Sequence, residues 1–162
     1  MVTGLLIVGA TLVVMEGVAW AMHKYVLHGF LWFLHKSHHT RHSQVFELND
    51  LFFTFYGTLA TVFFIYGSAG LDYRFWVAVG ISVYGLLYFL VHDIYIHRRL
   101  RLFRKTSNVY LKALDIAHKV HHRNTGKAGG EAFGMLLVGK KYFETARRAG
   151  KRKQNIRGAI LH

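Results

Sequence analysis

Apolar residues gather in three long runs along this chain. Val2–Met22, VTGLLIVGATLVVMEGVAWAM, carries one charge, Glu16. Leu51–Ala69, LFFTFYGTLATVFFIYGSA, and Phe75–Val91, FWVAVGISVYGLLYFLV, carry none. At the rise of an α-helix the first run covers about 31 Å, the thickness of a bilayer's hydrocarbon core. The third is near the short limit but can continue helically through His92–His97. A cleaved signal peptide fits the first run poorly, since no basic residue precedes it and no small-x-small site lies ahead of the histidines. Only GLDYR, Gly70–Arg74, separates the second and third runs, so they are expected to be antiparallel neighbours. GFLWFL (Gly29–Leu34) and AFGMLLV (Ala132–Val138) are too short to cross and read as interfacial or buried pieces. The second leaves open a fourth, tilted or re-entrant helix.

Composition changes the picture through charge. The chain has 162 residues, enough for one domain, with 52% apolar residues and a formal net charge of +13. Such a charge fits a nucleic-acid binder or a membrane protein with a basic cytoplasmic side. Its distribution decides for the membrane: of 21 Lys and Arg, only Arg74 lies in the short hairpin. With three spans the N-terminus is expected outside and the C-terminus in the cytoplasm. RRLRLFRK (Arg98–Lys105) and RRAGKRK (Arg147–Lys153) then read as basic patches against lipid or water. Residues 1–150 read as one membrane domain, and 151–162 as a basic, disordered tail. There is no proline, which suits uninterrupted helices, and no cysteine, which excludes disulfides and thiolate metal sites.

The chemistry lies in the histidines. H-x-x-x-x-H occurs at His23/His28 and His92/His97, and H-x-x-H-H at His35/His38/His39 and His118/His121/His122. Residues three and four apart share a helix face, so each triplet presents one imidazole surface. A spacing of five turns the second residue about 140° from the first on an α-helix, so such a pair would flank a site at a helix end. Ten imidazoles exceed the needs of one ion and suit two with about five each. Imidazole suits zinc, copper, iron or nickel. A single H-x-x-x-x-H is usually accidental, but four motifs on one side of the membrane are not. His42 continues the first face without a counterpart in the second half and is expected to support the ligands. His162 is taken as irrelevant.

Acidic residues are few. Asp93, Asp115 and Glu131 could each orient a ligand imidazole by accepting from its free N–H. For Asp115 a surface carboxylate beside a base is an equal alternative. Glu16 lies in an apolar span, seven residues before His23, where a carboxylate is functional by default or hydrated near the interface.

HKYVLH, HKSHH, HDIYIH and HKVHH, followed by GGEAFGML, resemble the bacterial β-carotene 3-hydroxylases of the fatty acid hydroxylase/sterol desaturase superfamily, over about Met15–Arg148. The resemblance implies an all-α integral membrane protein of three, or four, transmembrane helices with a cytoplasmic helical cap around a histidine-rich di-metal site. It implies a non-haem di-iron monooxygenase of the bacterial inner membrane that uses O2 to hydroxylate the 3-position of β-ionone rings. β-Carotene would pass through β-cryptoxanthin to zeaxanthin, and ketolated rings would be further substrates. The ligands carried over are His23, His28, His35, His38, His39, His92, His97, His118, His121 and His122. Zinc could replace the two irons in a structure but, lacking redox change, could not do the chemistry. With no flavin, haem or G-x-G-x-x-G pattern, electrons would come from a ferredoxin-type donor drawn to the basic face. The carotenoid would enter from lipid along a groove for which Trp20, Phe53, Gly57, Tyr84, Leu87 and Tyr88 are candidates. A related oxygenase acting on an acyl chain or sterol is the nearest alternative. A metal transporter is disfavoured, because the second and third runs offer almost no polar path. Nucleic acid is not an expected partner.

Overall fold

A computed structural model describes residues 1–40, 46–100, 102 and 106–160, with side chains through Arg152. Among the described residues there is no strand. Helix α1 spans Val2–Ala21 and runs into a π-helical segment, π1, Met22–Phe30. Next come α2 (Trp32–His39), α3 (Asp50–Gly67) and α4 (Tyr73–Tyr88), which continues as π2 (Phe89–Ile96). Helices α5 (Val109–Arg123) and α6 (Lys140–Ile160) follow. Local signals mark several ends. The Asp72 carboxylate accepts from Arg74 N–H and caps α4, and Asn108 accepts from Leu111 N–H to cap α5.

Among the described residues, three helices are long and apolar enough to cross a membrane: Val2–Phe30, Asp50–Gly67 and Tyr73–Ile96. The first and third exceed the expected runs because the π segments extend them. Helix α4 packs against both α1 and α3. Their shared core is Met15, Ala60, Ala78, Ile81 and Tyr84. Close approach rests on small residues: a Cβ on Gly80 would lie 2.5 Å from the Thr11 Cβ, and one on Gly67 2.3 Å from the Phe75 nitrogen. The outer faces stay apolar, with Leu5, Leu6, Val13 and Val14 exposed on α1 and Phe55 and Ile65 on α3. Water would penalise so broad an apolar surface, and acyl chains would not. This arrangement fits an integral membrane protein.

Helices α5 and α6 pair separately through Ala113, Ala117, Tyr142 and Ala146. Ala132–Val138 forms no fourth helix and is irregular backbone. The backbone of α6 stays helical through Ile160, where a disordered tail was expected from Lys151. Its lack of proline and its Ala, Arg, Lys and Gln content suit that conformation.

Gly80→Leu is expected to wedge α1 from α4. Overpacking of this kind costs about 1–3 kcal/mol. Denaturant unfolding in detergent micelles should show the loss, and an unchanged midpoint would mean that the α1–α4 contact is not tight.

Candidate metal centre

The His23/His28 pair lies within π1 and the His92/His97 pair runs from π2 to the residue that caps it, and this corrects the expected geometry. A π-helix closes i→i+5 bonds, so residues five apart come nearly into line rather than 140° apart. His97 N–H donates to the His92 carbonyl at 2.9 Å, spanning the motif itself. The His92 and His97 rings are 4.5 Å apart, and those of His23 and His28 5.3 Å. Each pair therefore faces one site together.

The histidines form two buried sets. The first holds His23, His28, His35, His39 and His121; the second holds His38, His92, His97 and His118. His122 adjoins the second set, its ring 4.4 Å from His118 and 4.8 Å from His38, with Nε2 buried and without a hydrogen-bond partner. The triplet faces are thus shared out. His35 and His39, four apart on α2, face the first site, while His38 between them crosses to the second. On α5, His118 and His122 face the second, while His121 crosses to the first.

Hydrogen bonds at the other ring nitrogen set the tautomers. In the first set Nδ1–H donates to a backbone carbonyl four times: His23 to Phe133 at 3.0 Å, His28 to Lys127 at 3.0 Å, His39 to Asn124 at 3.0 Å and His121 to Glu131 at 2.9 Å. His35 donates to Asn49 Oδ1 at 2.8 Å. In the second set His38 donates to Glu47 at 2.7 Å and His92 to Asp93 at 2.8 Å. Carbonyl and carboxylate oxygens only accept, so these Nδ1 atoms carry the protons and the Nε2 lone pairs are left facing inward.

Those lone pairs converge. His23 Nε2 lies 3.0 Å from His35 Nε2, and His39 Nε2 lies 3.1 Å from both His35 and His121. His38 and His92 meet at 3.1 Å. A metal bonded to imidazole at about 2.1 Å places ligand nitrogens at right angles about 3.0 Å apart. Five donors also exceed the four of tetrahedral zinc. The first set therefore fits a metal ion with more than four positions, and the second offers four donors with His122 beside them. Burial above all pushes the His35 imidazole down to about 3, those of His39, His97 and His121 to about 4, and His122 to about 2. His38 and His118 are also held well below the usual range, chiefly by burial. Neutral imidazole is the form that binds metal.

The supporting residues differ in part from expectation. Asp93 accepts from His92 at 2.8 Å. Asp115 instead pairs with Lys119 one turn along α5. Glu131 acts through its carbonyl, and its carboxylate faces Lys141. His42 lies outside the described residues. Glu47, Asn49 and Arg99 were not anticipated. Arg99 gathers Glu47 at 3.4 Å, Asp50 at 2.9 Å and Asp93 at 3.5 Å, tying the second set's carboxylates together. The run ELND (Glu47–Asp50), acidic within a basic chain, was the available signal. The four carbonyl acceptors leave none.

A cavity of about 460 Å³ opens between α1, α3 and α4. Met15, Ala19, Phe52, Tyr56, Ile81 and Gly85 contribute apolar wall, and His23, His35 and His92 stand at its head, so it reaches both sets. Of the groove candidates, Phe53, Tyr84 and Tyr88 line it. Trp20, Gly57 and Leu87 do not, because their helix positions turn them outward. Trp20 packs edge-on against Tyr25, and a Cβ on Gly57 would meet nothing within 4 Å.

Residues 8–145 match the fatty acid hydroxylase family. The chain is 41% identical over 140 residues to a β-carotene hydroxylase of Pseudescherichia vulneris, which covers 86% of this chain and 80% of that protein. It is 40% identical over 133 residues to one from Pantoea ananas, covering 82% and 76%. It is 38% identical over 137 residues to one from Paracoccus sp. (strain PC1), covering 84% and 85%. No solved structure matches the chain.

The depressed imidazoles predict an acid sensitivity. Unfolded histidines titrate near 6.5, and His35, His39, His97, His121 and His122 in the folded protein between about 2 and 4. The unfolded state therefore takes up more protons as pH falls below about 6.5, and folding stability is lost through that window. Metal-free protein in detergent should melt at a lower temperature at pH 5 than at pH 7.5. A flat profile in thermal melts would contradict neutral, buried imidazoles.

Proposed function

We propose, from the premise that the chain belongs to the fatty acid hydroxylase family, that it hydroxylates the 3-position of carotenoid β-ionone rings with O2, using two irons held by the ten clustered histidines. The curated relatives named above are β-carotene hydroxylases at about 40% identity over most of the chain. The observation that carries the reading is the apolar cavity whose head meets both histidine sets.

His23, His28, His35, His39 and His121 would hold one ion, and His38, His92, His97, His118 and His122 the other. Iron in these positions would supply the redox change that oxidises an unactivated ring C–H, which no side chain here can do as acid or base. Overall, ring C–H, O2, two electrons and two protons give ring C–OH and water. The electrons come from an external ferredoxin-type donor that docks on the basic face.

The chain's own residues prepare the site. Asn49 and the carbonyls of residues 124, 127, 131 and 133 fix the first set's ring orientations, and Glu47 and Asp93 fix two in the second. Carboxylate acceptors make those two imidazoles stronger donors. Phe52, Phe53, Tyr56 and Ile81 exclude water and receive a ring entering from the lipid, while the polyene stays among acyl chains. By the charge bias, the centre lies on the cytoplasmic side of the bacterial inner membrane. The second ring reacts only after the molecule has released and turned round, so the monohydroxylated product accumulates first.

Expression in β-carotene-accumulating cells should yield β-cryptoxanthin and then zeaxanthin by pigment chromatography. Unchanged pigment together with hydroxylated acyl chains or sterols would overturn the substrate assignment. Gly85 lines the cavity, and a Cβ there sits 3.7 Å from Phe53. Gly85→Trp should cut turnover at least tenfold while metal content, measured by elemental analysis, stays that of the parent.

A further inference from the structure

Glu16 is a buried carboxylate, 7% exposed, toward the C-terminal end of α1, whose other residues are uncharged. It belongs to neither histidine set. Its partners are all donors. Oε1 accepts three successive backbone N–H groups, from Met135 at 3.0 Å, Leu136 at 2.9 Å and Leu137 at 2.8 Å. Oε2 accepts the Tyr84 hydroxyl at 2.7 Å. A polar group in an apolar span persists only if its surroundings satisfy it, and here a single turn of irregular backbone does most of that.

That turn closes the segment that orients the first histidine set. Between Asn124 and Phe133 lie the four carbonyls that accept from His39, His28, His121 and His23. One end is held by the C-terminus of α5. The other enters no helix until Lys140, and besides Glu16 its polar anchor is the Tyr110 hydroxyl of α5, which donates to the Leu136 carbonyl at 2.8 Å. In between, Ala132 sits at φ 60°, a left-handed conformation that a residue with a side chain rarely adopts. It stands directly between the Glu131 and Phe133 carbonyls, so the placement of both depends on a strained residue. Gly134 completes the turn, since a Cβ there would lie 2.5 Å from the Leu137 carbonyl oxygen and 3.3 Å from Glu16 Oε1. The second set draws on other parts of the chain, Glu47 and Asp93.

We propose that Glu16 is a positioning residue for one half of the metal centre: by gripping the 135–137 backbone it holds the carbonyls that aim His23 and His121 at the first site. The proposal rests on the reading that both sets bind metal. It predicts a selective defect, because removing the grip frees the acceptors of the first set and leaves those of the second in place.

The test is metal stoichiometry of the full-length protein in detergent after reconstitution with iron(II) or cobalt(II). It is read by elemental analysis and by the cobalt absorption spectrum, with hydrogen exchange followed across residues 124–138. The parent should bind about two ions per chain. Glu16→Ala should bind about one, with faster exchange in 124–138 and unchanged exchange in α4. The remaining ion should be lost on adding His92→Ala and kept on adding His28→Ala. Glu16→Gln retains an oxygen for the three N–H groups and should restore binding toward two. Gly134→Ala disturbs the same turn from the other side and should reproduce the selective loss. Retention of two ions and slow exchange in both Glu16→Ala and Gly134→Ala overturns the proposal while leaving the metal reading intact. So does loss of both ions together with helicity in both variants. A parent that binds no metal overturns both.

Discussion

Ten clustered imidazoles, seven of them with Nδ1 tied to an acceptor and the Nε2 lone pair turned inward, are the constraint around which this protein is built. Bare nitrogens about 3 Å apart repel, so the arrangement makes physical sense only around cations, and every neighbouring feature limits its cost. Each outward Nδ1 that is tied down is tied to an oxygen that can only accept, so those rings cannot turn over to relieve the crowding. Burial keeps the rings neutral. Arg99 keeps the carboxylates behind the second set from repelling one another.

The same constraint explains the unusual backbone. An α-helix cannot aim residues five apart at one point, and both H-x-x-x-x-H pairs sit where the helix has widened to π geometry. The widening occurs at the ends of α1 and α4, which therefore carry clustered histidines without a break from the apolar span to the site. Helix α3, the second of the spanning-length helices, contributes no histidine to either set. Its Phe52, Phe53 and Tyr56 build only cavity wall.

Much of this was legible in the chain. Three apolar runs gave three spanning-length helices, because a long run without proline has few other ways to satisfy its backbone in lipid. The ten histidines were legible as two matched groups. Their allocation was not: it depends on π geometry, which no residue pattern announced, and on the crossing of His38 and His121, which needs the relative placement of α2 and α5. Asp93 could be anticipated because it neighbours a motif histidine, whereas backbone carbonyls as acceptors are invisible to residue type. The cavity was half legible. Tyr84 and Tyr88 lie four apart on one face of α4, but nothing in the order of residues distinguished Gly57, turned outward, from Gly85, turned in.

The crossed histidines have a mechanical consequence. His121 joins a site otherwise made by residues 23–39, and His38 joins one otherwise made by residues 92–122. A metal in either site therefore fastens together stretches of chain more than fifty residues apart. The chain has no cysteine, so disulfides cannot serve as cross-links. Bound ions would take their place as reversible staples, restricting the unfolded chain as a long disulfide loop does and contributing their binding energy to folding. A protein of this size, with much of its apolar surface given over to lipid, would then depend on its cofactor for its shape as well as for its chemistry.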